Sequence, residues 1–160
     1  MIYYIGLRQM SSNIKTAGGI VIHKDKILFI YKNDKWDLPK GRLEEGNNSR
    51  KTAIIEISEE TGLPQENLKI LRKLIPTYYY KNTNGRKIIK KTYWYLVEFT
   101  GDRKIKLVPD LNENITDCKW VSPDELVLVL AESHERIRYL IEFFLSMPFY
   151  NEYKAKLIKS

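Results

Sequence analysis

Cysteine and histidine are scarce in this chain of 160 residues. It has a single cysteine, Cys118, and two histidines, His23 and His134, which lie far apart in the sequence. One cysteine excludes an internal disulfide and a cysteine-rich zinc site, and the separated histidines lack the spacing of metal ligands. For the same reason a nucleophilic Ser–His or Cys–His site has little support.

Long apolar runs are also missing. No run approaches the roughly 20 residues that cross a membrane, and residues 1–7 are too short for a secretory signal. We therefore expect a cytoplasmic protein without a membrane partner. In the absence of repeats and low-complexity segments, residues 1–160 are most simply one domain. Residues 1–13 are its N-terminal strand or arm and residues 148–160 its tail.

The formal net charge of +7 favours anionic partners. Because the sequence contains no recognisable nucleic-acid module, we expect a small nucleotide or polyphosphate ligand and no long nucleic acid. The oligomeric state does not follow from the sequence.

Predicted elements follow the order strands, one helix, strands, two helices. This order is typical of an α+β protein, an α/β/α sandwich with a mixed β-sheet. Residues 9–13 are predicted as a loop and residues 82–85 as a hairpin turn with an Asn-Gly signal. Strands are predicted at residues 16–22, 26–31, 36–38, 68–80 with a break at Pro76, 86–100 and 116–121. Helices are predicted from an N-cap at Asn48 or Ser49 to residue 61, at 123–131 and at 134–147.

One predicted helix carries clustered acids. Residues three and four apart are neighbours on a helix, so Glu56, Glu59 and Glu60 crowd together and repel one another. A hard divalent cation would relieve this repulsion. Lys40 and Arg42 precede the helix in a loop containing Pro39 and Gly41, and their charges suit a phosphate-bearing substrate bound through the metal.

Residues 41–63 resemble the Nudix box, G-x5-E-x7-R-E-U-x-E-E-x-G-U, in which U is aliphatic. Two positions depart from it, since Asn47 replaces the first glutamate and Ile55 replaces the arginine. The matching positions are Gly41, Glu56, Ile57, Glu59, Glu60, Gly62 and Leu63.

This resemblance implies a Nudix fold and Mg²⁺- or Mn²⁺-dependent hydrolysis of a linked diphosphate. Carried over by position, Glu56 and Glu60 are the main metal ligands, and Glu59 is a further ligand or a proton acceptor. A later loop often supplies another acidic ligand in such enzymes. Here Glu113 is the first choice and Asp110 the second.

The stretch Trp36-Asp-Leu-Pro-Lys-Gly41 resembles the subgroup that cleaves diadenosine polyphosphates and inositol pyrophosphates. In that case Lys40 holds substrate phosphate, next to Gly41 and Arg42. A nucleoside polyphosphate is therefore the expected substrate, with diadenosine polyphosphates first. The alternatives are another linked diphosphate, such as an ADP-sugar or the 5′ end of RNA, and a degenerate module that binds nucleotide without efficient turnover.

The two departures predict reduced or altered catalysis. Ile55 cannot form the ion pair by which the family's arginine helps to orient the catalytic glutamate. Lys51, four residues earlier on the helix, could partly substitute for it. Asn47 keeps hydrogen-bonding ability and could still cap the helix.

Three consecutive tyrosines precede the hairpin turn. Strand alternation sends Tyr79 to the opposite face from Tyr78 and Tyr80. One of the three could line the pocket, but packing beneath the sheet is the expectation for any single one. The basic residues around the turn form either a rim that attracts polyphosphate or an ordinary solvated hairpin; these are Lys81, Arg86, Lys87, Lys90 and Lys91.

Overall fold

The computed structural model describes residues 11–159, which form a mixed β-sheet with helices on both faces. The strands are β1 Ser11–His23, β2 Lys26–Lys32, β3 Lys35–Asp37, β4 Lys40–Arg42, β5 Leu68–Lys73, β6 Thr77–Thr83, β7 Arg86–Phe99 and β8 Ile115–Val121. The helices are α1 Ser49–Thr61, α2 Pro123–Ala131, α3 Glu135–Ser146 and α4 Pro148–Lys159.

The sheet is organised on the parallel pair β1 and β7, which runs from Ser11 opposite Lys87 to Ile22 opposite Glu98. Strands β2 and β4 pair with β1 on antiparallel registers, and β5 and β6 pair in the same way with β7. Strands β3 and β8 extend the sheet beyond β2.

Two apolar cores lie on opposite faces of the sheet. On one face, Ala53 and Ile57 of α1 are buried in a core with Tyr95 and other sheet residues. On the other, α2 and α3 form a core with sheet residues that include the buried indole of Trp94, and side chains of α4 pack against it. The predicted α+β sandwich is therefore confirmed, and Trp94 and Tyr95, which are adjacent on β7, lie in different cores.

Two glycines of β1 allow a loop to approach the strand closely. The Gly19 amide donates a hydrogen bond to the Pro39 carbonyl at 3.1 Å. A Cβ atom on Gly18 would overlap the same carbonyl. The loop then continues as β4, in which Gly41 pairs with Ala17. The prediction of a continuous loop from Pro39 is wrong here, because a three-residue strand is too short to show periodicity.

The two ends of the described chain differ from expectation. Residues 11–13 were predicted as a loop but belong to β1, where pairing with β7 extends the strand. The predicted N-terminal strand lies outside the described residues. The predicted tail is instead largely helix α4: Pro148 follows the end of α3 and opens the new helix at a position where its missing N–H costs nothing. Phe149, Tyr150 and Tyr153 hold α4 against the core.

The β6–β7 hairpin agrees with the sequence. Thr83 pairs with Arg86 across a turn in which Asn84 and Gly85 have φ values of 51° and 76°. Two positive φ values are what a type I′ turn requires and what Asn-Gly supplies at low cost. The predicted break at Pro76 is also present, between β5 and β6.

Candidate active site

Helix α1 is fixed at both ends and along one face. The Asn48 side chain accepts a hydrogen bond from the Lys51 amide at 2.8 Å, which confirms Asn48 as one of the two predicted caps. Gly62 ends the helix in the left-handed conformation at φ 80°. With Ala53 and Ile57 buried against the sheet, the helix orientation is set.

Strand β4 brings its backbone against the glutamates of α1. The Lys40 amide donates a hydrogen bond to Glu60 Oε2 at 3.2 Å. A Cβ atom at position 41 would overlap the Glu56 carboxyl group, so any other residue here would force that side chain to move. The first glycine of the box thus has a direct steric role in placing Glu56.

These residues line a cleft of about 410 Å³. All residues predicted for metal or phosphate contact border it. The same cleft is also lined by four residues that the sequence reasoning did not select for the site. The predicted members are Lys40, Gly41, Arg42, Glu56, Glu59, Glu60, Asp110 and Glu113, and the added ones are Ile14, Thr16, Lys32 and Glu44, with Lys90 from the basic cluster of the hairpin.

Burial and electrostatic repulsion raise the pKa of two carboxyl groups in the cleft. Glu60 is only 3% exposed, and burial raises its pKa to about 8 despite the nearby charges of Lys40 and Lys32. At Glu56, partial burial and repulsion from Glu59 and Glu113 raise the pKa to about 7. Both carboxyl groups would gain from a nearby positive charge.

The donor set fits a hard divalent cation in chemical type. Carboxylate oxygens are the ligands that Mg²⁺ and Mn²⁺ prefer, and several of them face one cleft. Among residues 11–159, no three Asp, Glu, His or Cys side chains already stand close enough to hold a metal ion. Ligation therefore requires the glutamate side chains to rotate within the cleft.

Lys40 is held by a buried carboxylate. Its Nζ lies 2.6 Å from Asp37 Oδ2, and its side chain is 15% exposed. Burial opposes ionisation of Asp37, but the Lys40 charge and the hydrogen bonds from Lys40 and the Leu38 amide prevail, so the Asp37 pKa lies below its usual value. The Lys40 ammonium is thus fixed at the cleft wall.

Two lysines of the cleft also bear on its charge. The Nζ atom of Lys32, at the end of β2, lies 3.9 Å from Glu113 Oε2. Its charge partly offsets the rise in the pKa of Glu56 and Glu60. Nothing in the local sequence distinguishes it. Lys90 is half-buried, and burial together with the charges of Lys40 and Lys32 lowers its pKa. Strand alternation does not predict its place in the cleft, because it puts Lys90 on the face of Trp94, which packs with α2 and α3 and not with α1.

The two departures from the box have structural consequences. Lys51 is exposed and forms no ion pair with a carboxylate in the described part of the chain. Lys32 lowers the pKa of Glu56 only slightly, as the smallest of the causes that act on it, and its ion-pair partner is Glu113. Asn47 does not cap the helix, since Asn48 does so. The backbone N–H of Asn47 donates a hydrogen bond to the Glu44 carbonyl at 3.2 Å.

The three consecutive tyrosines are all exposed, with Tyr79 at 36% and the other two higher. None of them lines the cleft. The expectation that each packs beneath the sheet is therefore wrong: β6 is followed by the hairpin turn and its residues beyond Thr77 are all exposed.

Across residues 11–159, none of the helices combines the length and the apolar character needed to span a membrane.

A family model for the NUDIX domain matches residues 13–144. The chain is 35% identical over 101 residues to the mutator protein MutT4 of Mycobacterium tuberculosis, an alignment that covers 63% of this chain and 38% of that relative. The chain thus spans well under half the length of that protein. It is 28% identical over 122 residues to the RNA pyrophosphohydrolase of Erythrobacter litoralis, covering 70% of this chain and 74% of the relative.

Solved structures share the fold. An Ap4A hydrolase of C. elegans in a binary complex superposes with a TM-score of 0.62 at 18% identity, over 82% of this chain and 94% of that one. A bifunctional NMN adenylyltransferase/ADP ribose pyrophosphatase of Francisella tularensis, complexed with AMP and a Mn ion, gives 0.59 at 20% identity, over 90% of this chain and 46% of that one.

Proposed function

Because the chain belongs to the Nudix hydrolase family, whose members act on phosphoric anhydride bonds, we propose that it is a metal-dependent pyrophosphohydrolase of nucleoside polyphosphates. Diadenosine polyphosphates are the first candidate substrates, and the cytoplasm is the expected location. The observation that carries the proposal is the meeting of Glu56, Glu59 and Glu60 with Lys40 in one cleft. Mg²⁺ or Mn²⁺ is the proposed cofactor.

Each side chain has a separate task in this proposal. Glu56 and Glu60 hold the cation, and Glu59 or Glu113 completes its ligands. The bound cation would neutralise phosphate charge and make an attacking water more acidic. One of the glutamates accepts the proton of that water.

The basic residues act on the phosphate groups. Lys40 donates to a phosphate oxygen, and its buried partner Asp37 limits the positions that the ammonium can take. Preorganisation of this kind strengthens charge stabilisation, because no reorganisation is needed as the bond breaks. Arg42 is exposed at the mouth of the cleft and suits a more distant phosphate of a long chain.

A turnover panel tests the proposal. Diadenosine polyphosphates, ADP-sugars, nucleoside triphosphates and RNA with a 5′-triphosphate are incubated with Mg²⁺ or Mn²⁺, and phosphate-containing products are quantified. Glu60→Gln should lower kcat by roughly 100-fold or more, the cost of losing a charge-stabilising group. Glu142→Gln, an exposed change on α3, is the matched control and should leave the rate unchanged.

Two outcomes would contradict the proposal. Nucleotide binding without metal-dependent release of product from any substrate would favour the degenerate binding module instead. Full activity of Glu60→Gln would refute the ligand assignment. A higher rate in Ile55→Arg would show that the missing arginine limits turnover, because it would restore the family's ion pair.

Hydrolysis at the 5′ end of RNA is the second candidate function. It is supported by a basic segment that includes one residue of the cleft: residues 67–97 contain eight Lys and Arg residues, among them Lys90, and no Asp or Glu. A dinucleotide does not need so long a basic segment, whereas a polynucleotide carries a phosphate at each step. In the panel, preference for 5′-triphosphate RNA over diadenosine tetraphosphate would favour this function.

A further inference from the structure

The β6–β7 hairpin is rich in positive charge. Residues 77–97 contain five cations and no Asp or Glu; the cations are Lys81, Arg86, Lys87, Lys90 and Lys91. Strand β6 pairs with β7 alone among the described strands. The hairpin is therefore an exposed sheet edge with a strongly positive potential, and little of that surface is used by the cleft.

One face of the hairpin combines aromatic and basic side chains. The register sets Tyr78 opposite Lys91 and Tyr80 opposite Ile89, so these four residues share a face, which we name the tyrosine strip. Tyr78 is 60% and Tyr80 56% exposed. The Lys91 ammonium lies 5.7 Å from the centre of the Tyr78 ring and 4.7 Å from that of Tyr93.

The spacing of the strip suits a chain of stacked bases. Residues two apart on one face of a strand are separated by about 6.8 Å, which is comparable with the step of an extended single strand. Exposed rings between cations are the usual means of binding single-stranded nucleic acid, because every base has a face that can stack and every step carries a phosphate. Lys87 adds further charge on the same face, while Lys81 and Arg86 lie on the opposite face of the hairpin.

Charge also disfavours the other occupants of an exposed sheet face. A second copy of this chain would bring the same basic hairpin against the first, and like charges facing each other across an interface oppose association. Residues 77–97 contain no Asp or Glu, so a polyanion satisfies the cations of the hairpin best.

The strip lies one residue away from the cleft along β7. Lys91 belongs to the strip, while Lys90 points to the opposite face and lines the cleft. Its cross-strand neighbour on that face is Tyr79, whose ring lies 4.7 Å from the Arg136 guanidinium. To reach the cleft, a polynucleotide on the strip would have to pass around the β6 edge.

We propose that the tyrosine strip binds single-stranded RNA, with Tyr78 and Tyr80 stacking on successive bases and the neighbouring cations contacting phosphates. This inference rests on the second candidate function, RNA as a substrate, and extends it to the chain behind the 5′ end. It makes the β6–β7 hairpin a binding surface in its own right, separate from the hydrolytic cleft.

Binding is tested apart from hydrolysis. The probe is a single-stranded RNA of about ten uridines, within the usual range of site sizes, with a 5′-hydroxyl group and a 3′ fluorophore. Fluorescence anisotropy in EDTA gives Kd without turnover. The double variant Tyr78→Leu/Tyr80→Leu should bind at least about tenfold more weakly, because two stacking rings are lost. Tyr78→Phe/Tyr80→Phe keeps the rings and should bind within about twofold of the wild type.

Tyr139→Leu is the matched control, since Tyr139 is as exposed as Tyr78 but lies on α3. It should leave Kd unchanged. Thermal melting of each variant verifies folding, which exposed substitutions are expected to preserve. Raising the salt concentration should weaken binding steeply.

Equal RNA affinity of the wild type and the leucine double variant would overturn the proposal. So would light scattering that shows a wild-type dimer converted to a monomer by the same change, because the strip would then be an interface between copies. Ring-dependent RNA binding without hydrolysis of 5′-triphosphate RNA would support the strip and refute only the second candidate function.

Discussion

The buried carboxyl group of Glu60 should make the metal-free protein less stable as the pH rises. Its pKa is about 8 in the folded protein against a usual value of 4.5. Between these values the folded chain keeps a proton that the unfolded chain has lost. The free energy of unfolding therefore falls as the pH rises through this window. Below about pH 4.5 both states are protonated, and the effect disappears.

The magnitude follows from the shift. One pKa unit corresponds to about 1.4 kcal/mol, so raising the pH from about 5 to 8 should cost the metal-free protein about 3 kcal/mol through this group. Glu60→Gln cannot ionise, and its amide oxygen can still accept the Lys40 N–H bond. The variant should therefore become more stable than the wild type by about that amount at pH 8, or about 6–12 °C in Tm.

The assay is urea unfolding in EDTA across this pH range, with Glu142→Gln as the exposed control. The free energy of unfolding of this control should change with pH in the same way as that of the wild type. Saturating Mg²⁺ should remove the advantage of Glu60→Gln, because the cation binds the folded wild type and adds to its stability. Parallel curves for the wild type and Glu60→Gln in EDTA would refute the reasoning.

Three further predictions concern neighbouring residues. Gly41→Ala should lower kcat by roughly tenfold or more with little change in Tm, because the alanine Cβ must displace the end of the Glu56 side chain. A fall in Tm without a change in kcat would argue against a role of Gly41 in placing that side chain. Asp37→Asn should destabilise the protein by about 2–4 kcal/mol in urea unfolding near neutral pH, since it leaves Lys40 without its buried partner. The cost should shrink as acid protonates Asp37 in the wild type, and a cost that is constant with pH would exclude the ion pair as its source. Burial and the nearby acids raise the pKa of Cys118 to about 12, so a thiol-reactive dye should modify it at pH 8 much more slowly in the folded protein than in urea. Equal rates in the two states would contradict this protection.

The sequence predicted the structure best at positions where the backbone conformation strongly favours one residue type. Gly62, the Asn84-Gly85 turn and Pro76 each marked an element boundary that the structure confirms, because positive φ or a missing N–H restricts the backbone locally. The NUDIX model match confirms the family that the box residues indicated. The roles of the individual cleft residues stay predictions.

Long-range geometry was less accessible. Lys32 reaches the cleft only because β2 and the loop before β8 meet in space, which no local pattern encodes. Strand β4 exists because β1 offers it a partner, and residues 11–13 are extended because β7 lies beside them. Helix α4 does not follow from the sequence pattern, because Pro148 is compatible both with the end of one helix and with the start of the next.

The parallel pairing of β1 with β7 has a consequence for how the protein forms. Thr16 and Thr92 are joined by a hydrogen bond between their hydroxyl groups although 76 residues separate them. On the ribosome, β1, β4 and the whole acidic helix are synthesised well before β7. The wall of the cleft that contains Thr16 and Lys90 thus closes only after the chain has been made past Phe99, and pairing over so long a separation is slow. We therefore expect the cleft to be completed late, and a nascent chain that stalls before β7 would leave the glutamates without a finished site.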